Sequence, residues 1–242
     1  MPEKIIGILG GMGPEATIDL FTKIVKGTKV KKDQDHLRIL IDNNPKIPDR
    51  TLAIQRKGPT PLTQLVRSAK ILQKAGAVFI VIPCVTAHYY YDSLQKRIKI
   101  PILHIVDETV RYIKKKLKGM TKIGLIATQG TMQTGLFQKA LSNNVIELIL
   151  PTPGVQKKWV MEAIYGKKGI KIVGPSEQAK RLILKASESL IKQGAQAIIA
   201  GCTEVPLVLK RRDLPVPVID PISVLASAAI RKARGKKGNS VP

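Results

Sequence analysis

Two cysteines are the residues of this sequence whose type and spacing best suit acid–base chemistry. Cys84 ends the segment IVIPC (80–84) and Cys202 ends IIAGC (198–202), so each follows a short apolar run. A thiol and a thiolate together carry a single negative charge and can be tuned to ionise near neutral pH. Two such groups on opposite faces of a carbon centre can invert it, because one removes a proton while the other supplies one. For each cysteine taken alone, the alternative is a small buried residue that closes a strand.

The sequences around the two cysteines repeat each other. KAGAVFIVIPC (74–84) aligns with KQGAQAIIAGC (192–202), and in both a glycine lies eight residues before the cysteine. Upstream, IGILGGMG (6–13) aligns with IGLIATQG (123–130) at nearly the same separation. Two matches at one separation predict a duplicated α/β half in which the two cysteines occupy equivalent positions.

The elements that must position these cysteines are strands and helices in alternation. Apolar runs such as VFIVI (78–82) alternate with amphipathic segments such as 60–76, which is typical of βαβ units and a parallel sheet. We therefore predict an α/β fold of two pseudo-symmetric, Rossmann-like parallel-sheet domains with the active site in the cleft between them. The predicted halves are residues 1–103 and 104–210, and the C-terminal segment 211–242 is expected to pack back on the first half. Helix-like segments follow both cysteines and predict thiolates favoured by helix N-termini.

Composition narrows the function classes. The 41 basic and 17 acidic residues give a net charge of +24, which attracts nucleic acid and acidic small molecules. The basic residues are spread along the chain and only 4% of residues are aromatic, which argues against specific nucleic-acid binding and for a solvated basic surface. The sequence has neither a membrane-spanning apolar run nor a signal-peptide pattern, so we expect a cytoplasmic protein with free thiols.

Metal and dinucleotide sites are not predicted. The three histidines, His36, His88 and His104, lack metal-ligand spacing with each other or with the cysteines, and we expect His88 in a structural role. The glycine-rich stretch GILGGMGPEAT (7–17) does not match the pattern G-x-G-x-x-G, and its Pro14 is typical of the first residue of a helix.

Five motifs together resemble the aspartate racemases, members of the aspartate/glutamate racemase superfamily that work without pyridoxal phosphate: GILGGMGPEAT (7–17), NNPKIPDRT (43–51), PCVTAH (83–88), IATQGT (126–131) and AGCTEVPLVL (200–209). The resemblance implies a cofactor-independent racemase of an acidic amino acid, aspartate above all, in a homodimer. It also implies that Cys84 and Cys202 are the catalytic pair.

The resemblance further implies a set of substrate contacts. Arg50 of the IPDR motif and Lys171 of IYGKKGIK (164–171) would receive the side-chain carboxylate of the substrate. The positions that would contact its amino and α-carboxylate groups are Met12, Thr86, Thr131 and Thr203. Glu204 either is an acid at the start of the following helix or tunes the Cys202 thiol, and we favour the first interpretation.

One position departs from the family pattern. The family has Cys-Asn-Thr where this chain has Cys84, Val85 and Thr86, so an amide that would donate to the substrate α-carboxylate is missing. Losing such a hydrogen bond to a charged group costs about 1.5–3 kcal/mol. Two alternatives therefore stay open: a related racemase or isomerase acting on glutamate, another amino acid or a diacid, and a non-catalytic binding protein with a basic, nucleic-acid-binding surface.

Overall fold

A computed structural model of the protein describes residues 4–142 and 146–235. The described chain divides into two compact units. One is made of residues 4–109 and 222–235, and the other of residues 110–142 and 146–221. Within the described residues, no helix is long and apolar enough to cross a membrane. The predicted bounds, 1–103, 104–210 and 211–242, stay predictions, and residues 236–242 of the last segment lie outside the described residues.

The first unit is built on a four-stranded parallel sheet with the strand order β2-β1-β3-β4. Its strands are β1 (Ile6–Gly10), β2 (Ile39–Asn43), β3 (Phe79–Val81) and β4 (Ile102–Leu103). Every residue of the two inner strands is buried, as a parallel sheet covered by helices requires. The helices are α1 (Pro14–Gly27), α2 (Arg50–Ile54), α3 (Leu62–Lys74) and α4 (Tyr91–Gln95), with 3₁₀ turns at Asp33–Asp35 and Thr86–Tyr90. Helix α5 (Ile105–Lys116) begins in this unit and continues into the second unit from residue 110.

The second unit has a parallel sheet of the same size, with the strand order β6-β5-β7-β8. Its strands are β5 (Lys122–Ile126), β6 (Glu147–Ile149), β7 (Ala197–Ala200) and β8 (Val218–Ile219). The helices are α6 (Gln129–Thr134), α7 (Leu136–Ser142), α8 (Pro153–Val155), α9 (Glu162–Tyr165), α10 (Ile170–Val173), α11 (Glu177–Lys192) and α12 (Val205–Val208), with a π-helical turn at Gln156–Met161 and a 3₁₀ turn at Arg211–Asp213.

The two sheets share one connectivity, since in each the first strand in sequence pairs with the second and the third, and the third pairs with the fourth. This confirms the predicted α/β class with two parallel sheets. The segments predicted from periodicity are also found: the apolar run 78–82 contains β3, and the amphipathic segment 60–76 contains α3.

The last helix, α13 (Pro221–Ala233), belongs with the first unit. The guanidinium of Arg231 lies 3.4 Å from the carboxylate of Glu108 in α5. Arg234, just beyond the helix, donates to the carbonyl of Lys29 at 2.7 Å, after the end of α1. These contacts connect the C-terminal end of the described chain to helices on the first sheet.

Candidate active site

In the first unit, the candidate residues lie just beyond the carboxyl ends of β1 and β3. Met12 follows β1 in a turn where Gly11 has φ of +93° and where an added Cβ would lie 2.3 Å from the carbonyl carbon of Asn44, so glycine is required. Cys84 follows β3, and its side chain belongs to the same apolar cluster as Met12. Ligands of open α/β sheets bind at this edge.

Arg50 connects the loop before α2 to the turn after β1. The side chain is only 7% exposed, and its guanidinium donates to the carbonyls of Ile47 at 3.3 Å, Pro48 at 3.1 Å and Met12 at 3.1 Å. The preceding residue, Asp49, caps α2 by accepting from the amide of Leu52 at 2.8 Å. The cation is therefore held by neutral main-chain groups close to the predicted substrate contact Met12.

His88 holds the main chain of Cys84 in place. Its Nδ1 lies 2.9 Å from the carbonyl of Cys84, and its Nε2 accepts from the amide of Ile105, the first residue of α5, at 3.3 Å. Burial, together with the nearby His104 ring, lowers the pKa of His88 from 6.5 to about 3. The ring is therefore neutral, with its proton on Nδ1, because Nε2 is needed as the acceptor. The expected structural role of His88 agrees with these contacts.

In the second unit, Cys202 follows β7, and its amide donates to the carbonyl of Ile126 at the end of β5, 3.2 Å away. A Cβ at the preceding residue, Gly201, would lie 2.4 Å from Leu125 Cδ1 and 3.1 Å from Ala127 Cβ, so a larger residue there would require the buried Leu125 side chain to shift. The thiol of Cys202 donates to Glu204 Oε2 at 2.9 Å, and Glu204 Oε1 forms an ion pair with the ammonium of Lys171. Thiol, carboxylate and ammonium thus form one chain of polar contacts.

Glu204 lies at the start of the following helix, as our preferred interpretation expected, and it also contacts the Cys202 thiol, as the alternative expected. Although Glu204 immediately precedes α12, its side chain does not cap that helix, and it accepts instead from the thiol two residues earlier. The carboxylate is 2% exposed. The cause is Lys171, whose ammonium fixes the carboxylate next to Cys202 rather than at the helix amides.

The charges around Cys202 also correct the expected effect of the following helix. Burial, followed by the charge of the Glu204 carboxylate, raises the pKa of Cys202 well above its ordinary value, although Lys171 opposes this. The segment predicted as a helix after the thiol forms only the four-residue α12. Burial alone would raise the pKa of Glu204, but Lys171 and the hydrogen bond from Cys202 hold this pKa below its ordinary value. Cys202 is therefore a thiol beside a carboxylate anion.

The three candidate threonines lie close to the same strand ends. Thr86 begins the 3₁₀ turn after Cys84 and is buried. Thr131 lies in the first turn of α6, where its amide donates to the side chain of Thr128 at 3.2 Å. Thr203 Oγ1 donates to Glu204 Oε2 at 3.3 Å. In each unit, therefore, the predicted residues gather at the carboxyl edge of that unit's sheet.

Lys171, predicted to receive a substrate carboxylate, already contacts a carboxylate of its own chain. Its ammonium pairs with Glu204 and lies 5.8 Å from the ring centroid of Tyr165. Arg50, the other predicted receptor, donates in the contacts described above to neutral carbonyls.

Sequence reasoning missed Gln156, which begins the π-helical turn of the second unit. Its side-chain amide donates to the carbonyl of Ala127, directly after β5, at 3.0 Å. The segment PGVQKKWVM (153–161) has no periodicity that marks a π turn, so the sequence carried no signal for it. Across residues 4–142 and 146–235, no cluster of three or more histidine, cysteine or acidic side chains is arranged to hold a metal ion.

Two parallel sheets of one connectivity, each with a cysteine at the end of its third strand, define a duplicated α/β protein with thiols at its ligand-binding edges. Residues 9–229 match the sequence model of the family described as Asp/Glu/Hydantoin racemase, and the chain belongs to this family. It is accordingly an amino-acid racemase of that family, an isomerase acting on a small amino-acid substrate.

Similar proteins agree on the family and differ in substrate. The chain is 30% identical over 232 residues to the broad specificity amino-acid racemase RacX of Bacillus subtilis, covering 93% of this chain and 96% of RacX. Among solved structures, the aspartate racemase of Picrophilus torridus superposes with a TM-score of 0.84 at 28% identity, covering 96% of this chain and 94% of the other. A putative Asp/Glu racemase from Yersinia pestis superposes with a TM-score of 0.77 at 31% identity, covering 96% and 99% of the two chains.

Proposed function

We propose that the protein racemises an acidic amino acid, aspartate above all, with Cys84 and Cys202 as the two acid–base groups. The observation that carries this proposal is the equivalent placement of the two thiols, each just beyond the third strand of a sheet with the same connectivity. A two-base reaction requires matched groups, because each must serve as the base for one enantiomer and as the acid for the other.

The charges around Cys202 support a starting state for the reaction. Cys202 is protonated, and its thiol donates a hydrogen bond to Glu204. Cys202 is therefore the acid in the first direction of the reaction. The Cys84 thiolate takes the α-proton from one face of the substrate, and the Cys202 thiol gives its proton to the opposite face. After this step Cys84 is a thiol and Cys202 a thiolate, which is the state that converts the product enantiomer back.

The preference for an acidic substrate is supported by Arg50. The buried guanidinium lies against the turn that contains Met12, and a guanidinium matches a carboxylate with two parallel hydrogen bonds. In this proposal the substrate's amino and α-carboxylate groups contact Met12, Thr86, Thr131 and Thr203, and no cofactor is used. Assembly as a homodimer also remains a proposal, resting on the family resemblance alone.

The test is exchange of the α-proton in heavy water. We expect the wild-type protein to place deuterium on the α-carbon of both aspartate enantiomers and to bring either one to the racemic mixture. Proton NMR measures the deuterium incorporation, and chiral chromatography measures the ratio of the enantiomers. Absence of exchange with aspartate and with glutamate would refute the acidic-substrate proposal. Deuterium incorporation that always retains configuration would refute the two-base scheme while leaving aspartate as a ligand.

A broader substrate range is the second candidate, favoured by the Lys171–Glu204 ion pair. Because Glu204 already neutralises Lys171, this cation attracts a substrate carboxylate less strongly than a lysine without such a partner. The identity to a broad-specificity racemase supports the same candidate. Arg50→Ala separates the two candidates. A loss confined to aspartate and glutamate favours an acidic substrate, whereas an equal loss on alanine and aspartate favours the broader range.

A further inference from the structure

The π-helical turn Gln156–Met161 holds the loop that follows β5. At one end of the turn, the Gln156 amide donates to the carbonyl of Ala127 at 3.0 Å. At the other end, Met161 Sδ accepts from the amide of Gln129 at 3.3 Å. The loop held in this way leads directly into the turn that carries Thr131, one of the proposed substrate contacts. Single π-helical turns are rare and are found frequently at functional sites.

The side-chain amide of Gln156 has a fixed orientation. A carbonyl can only accept, so the group facing Ala127 must be the nitrogen, and the oxygen Oε1 faces away from it. Gln156 is 4% exposed, and Oε1 is buried without a hydrogen-bond partner among the residues that the structure describes. A buried acceptor left unpaired is costly, so this position calls for a donor, and a donor carried by a ligand reaches Oε1 only when a neighbouring side chain moves aside.

The side-chain amide of Gln156 and the main-chain amide of Cys202 make hydrogen bonds to consecutive residues at the end of β5. The carbonyl of Ile126 accepts from the amide of Cys202, and the carbonyl of Ala127 accepts from Gln156. The main-chain part of any amino acid bound at this edge carries one donating group, the α-ammonium, since the α-carboxylate only accepts. We propose that Gln156 Oε1 accepts a hydrogen bond from the substrate's α-ammonium group.

This inference rests on the proposed function only in taking an α-amino acid as the ligand. It depends neither on the substrate side chain nor on the two-thiol scheme. Its consequence is selectivity: Gln156 distinguishes an amino acid from the corresponding acid that lacks the amino group, while Arg50 acts on the side chain. Gln156 is thus assigned as a substrate-binding residue that does not itself move a proton.

The test compares ligands with and without the ammonium group. DL-aspartate is paired with succinate, and DL-alanine with propionate. The dissociation constant of each ligand is measured by titration calorimetry with the wild-type protein and with Gln156→Met. We expect wild type to prefer the amino acid in at least one pair. In that pair Gln156→Met should lower the affinity for the amino acid by about ten- to a hundredfold, because a hydrogen bond to a charged group is lost. The affinity for the acid without the amino group should fall by less than about twofold.

Gln138→Met is the matched control. Gln138 lies in α7 of the same unit, its amide also donates to a main-chain carbonyl, that of Met132 at 3.4 Å, and its Oε1 is likewise buried without a partner among the described residues. We expect this variant to leave the preference unchanged. Gln156→Glu, which keeps an acceptor, should retain the preference for the ammonium-bearing ligand even where overall affinity falls.

Three outcomes overturn the inference: a wild type that prefers the amino acid in neither pair, an equal loss of both ligands in Gln156→Met, or the same change of preference in Gln138→Met. The readout does not require turnover. A wild type that prefers aspartate over succinate but never exchanges its α-proton refutes the proposed reaction and leaves the ammonium contact standing.

Discussion

Cys84 and Cys202 follow equivalent strands, yet the groups around them differ in kind. Cys84 lies in an apolar cluster with Met12, next to the buried Val85, and its main chain is held by the neutral ring of His88. The Cys202 thiol donates a hydrogen bond to Glu204, which in turn is paired with Lys171. The first thiol is positioned through its backbone, whereas the second has a polar partner at the sulfur itself.

This difference follows from the residue two places after each cysteine. At that position the first unit has Thr86 and the second has Glu204, although the strand order around them is the same. A duplicated fold therefore supplies two equivalent positions for acid–base groups, and local substitutions then make them chemically unequal. We infer that the two proton transfers are tuned separately.

The largest expected effect is the loss of either thiol. Cys84→Ala and Cys202→Ala should each lower the racemisation rate by about 10²–10⁴-fold, the usual contribution of one acid–base group. Chiral chromatography of aspartate, started from each enantiomer, measures the loss. Full activity in either variant would break the comparison, because one thiol would then suffice for both faces. Far-ultraviolet circular dichroism of both variants checks that the fold is kept.

The next effect concerns the pH at which Cys202 ionises. Burial and then the Glu204 charge raise the pKa of Cys202 and Lys171 lowers it, so Glu204→Gln removes a raising charge and keeps the lowering one. We therefore expect alkylation of Cys202 by iodoacetamide to begin at a lower pH in Glu204→Gln than in wild type. Mass spectrometry of the Cys202 peptide follows the reaction.

Two controls accompany this measurement. The Cys84 peptide of the same sample is the internal reference and should shift less than the Cys202 peptide, because Glu204 contacts the Cys202 thiol directly. Glu162→Gln removes a carboxylate from an exposed site of the second unit and should not move the Cys202 profile. A Cys202 profile that stays in place, or moves to higher pH, in Glu204→Gln contradicts the assigned role of Glu204.

Much of the framework behind these predictions could be read from the sequence, whereas the contacts at Cys202 could not. Strand β3 and helix α3 followed from apolar runs and helical spacing, and the equivalence of the cysteines followed from the repeated segments. The Lys171–Glu204 pair joins residues 33 positions apart, and only the path of the chain through α10 and α11 brings them together. Gln156 was missed for the same reason, because its partner Ala127 is 29 positions away.

His88 predicts a loss of stability in acid that originates on the Cys84 side. Its pKa is about 3 in the folded protein and 6.5 ordinarily, so below pH 6.5 the unfolded chain binds a proton that the folded chain does not. The contribution of His88 to the free energy of unfolding is fully present above pH 6.5. It falls by about 1.4 kcal/mol per pH unit as the pH drops towards 3. Urea unfolding of wild type at pH 7 and pH 5 should therefore differ by about 2 kcal/mol from this histidine.

His88→Asn removes the titrating group, so its unfolding free energy should change less between the two pH values than that of wild type. At pH 7 the variant should be less stable by about 1–3 kcal/mol, since the amide of Ile105 loses its acceptor. His36→Asn changes another histidine of the same unit and serves as the control. An equal acid dependence in wild type and His88→Asn would contradict a neutral, buried His88.

The smallest effect is expected at Val85, which occupies the position that Thr203 holds beside Cys202. Val85 is 2% exposed, so a polar side chain there is stabilised only if it finds a partner. With aspartate bound, Val85→Asn would supply a donor to the α-carboxylate, and we expect a gain of about tenfold in kcat/KM, somewhat less than a full charged hydrogen bond allows. Val85→Thr keeps the shape and adds only a hydroxyl, so its gain should be smaller. A fall in kcat/KM for both variants, with unchanged KM, would mean that the apolar surroundings of Cys84 are needed for proton transfer. The difference between the environments of the two thiols would then promote the reaction rather than slow it.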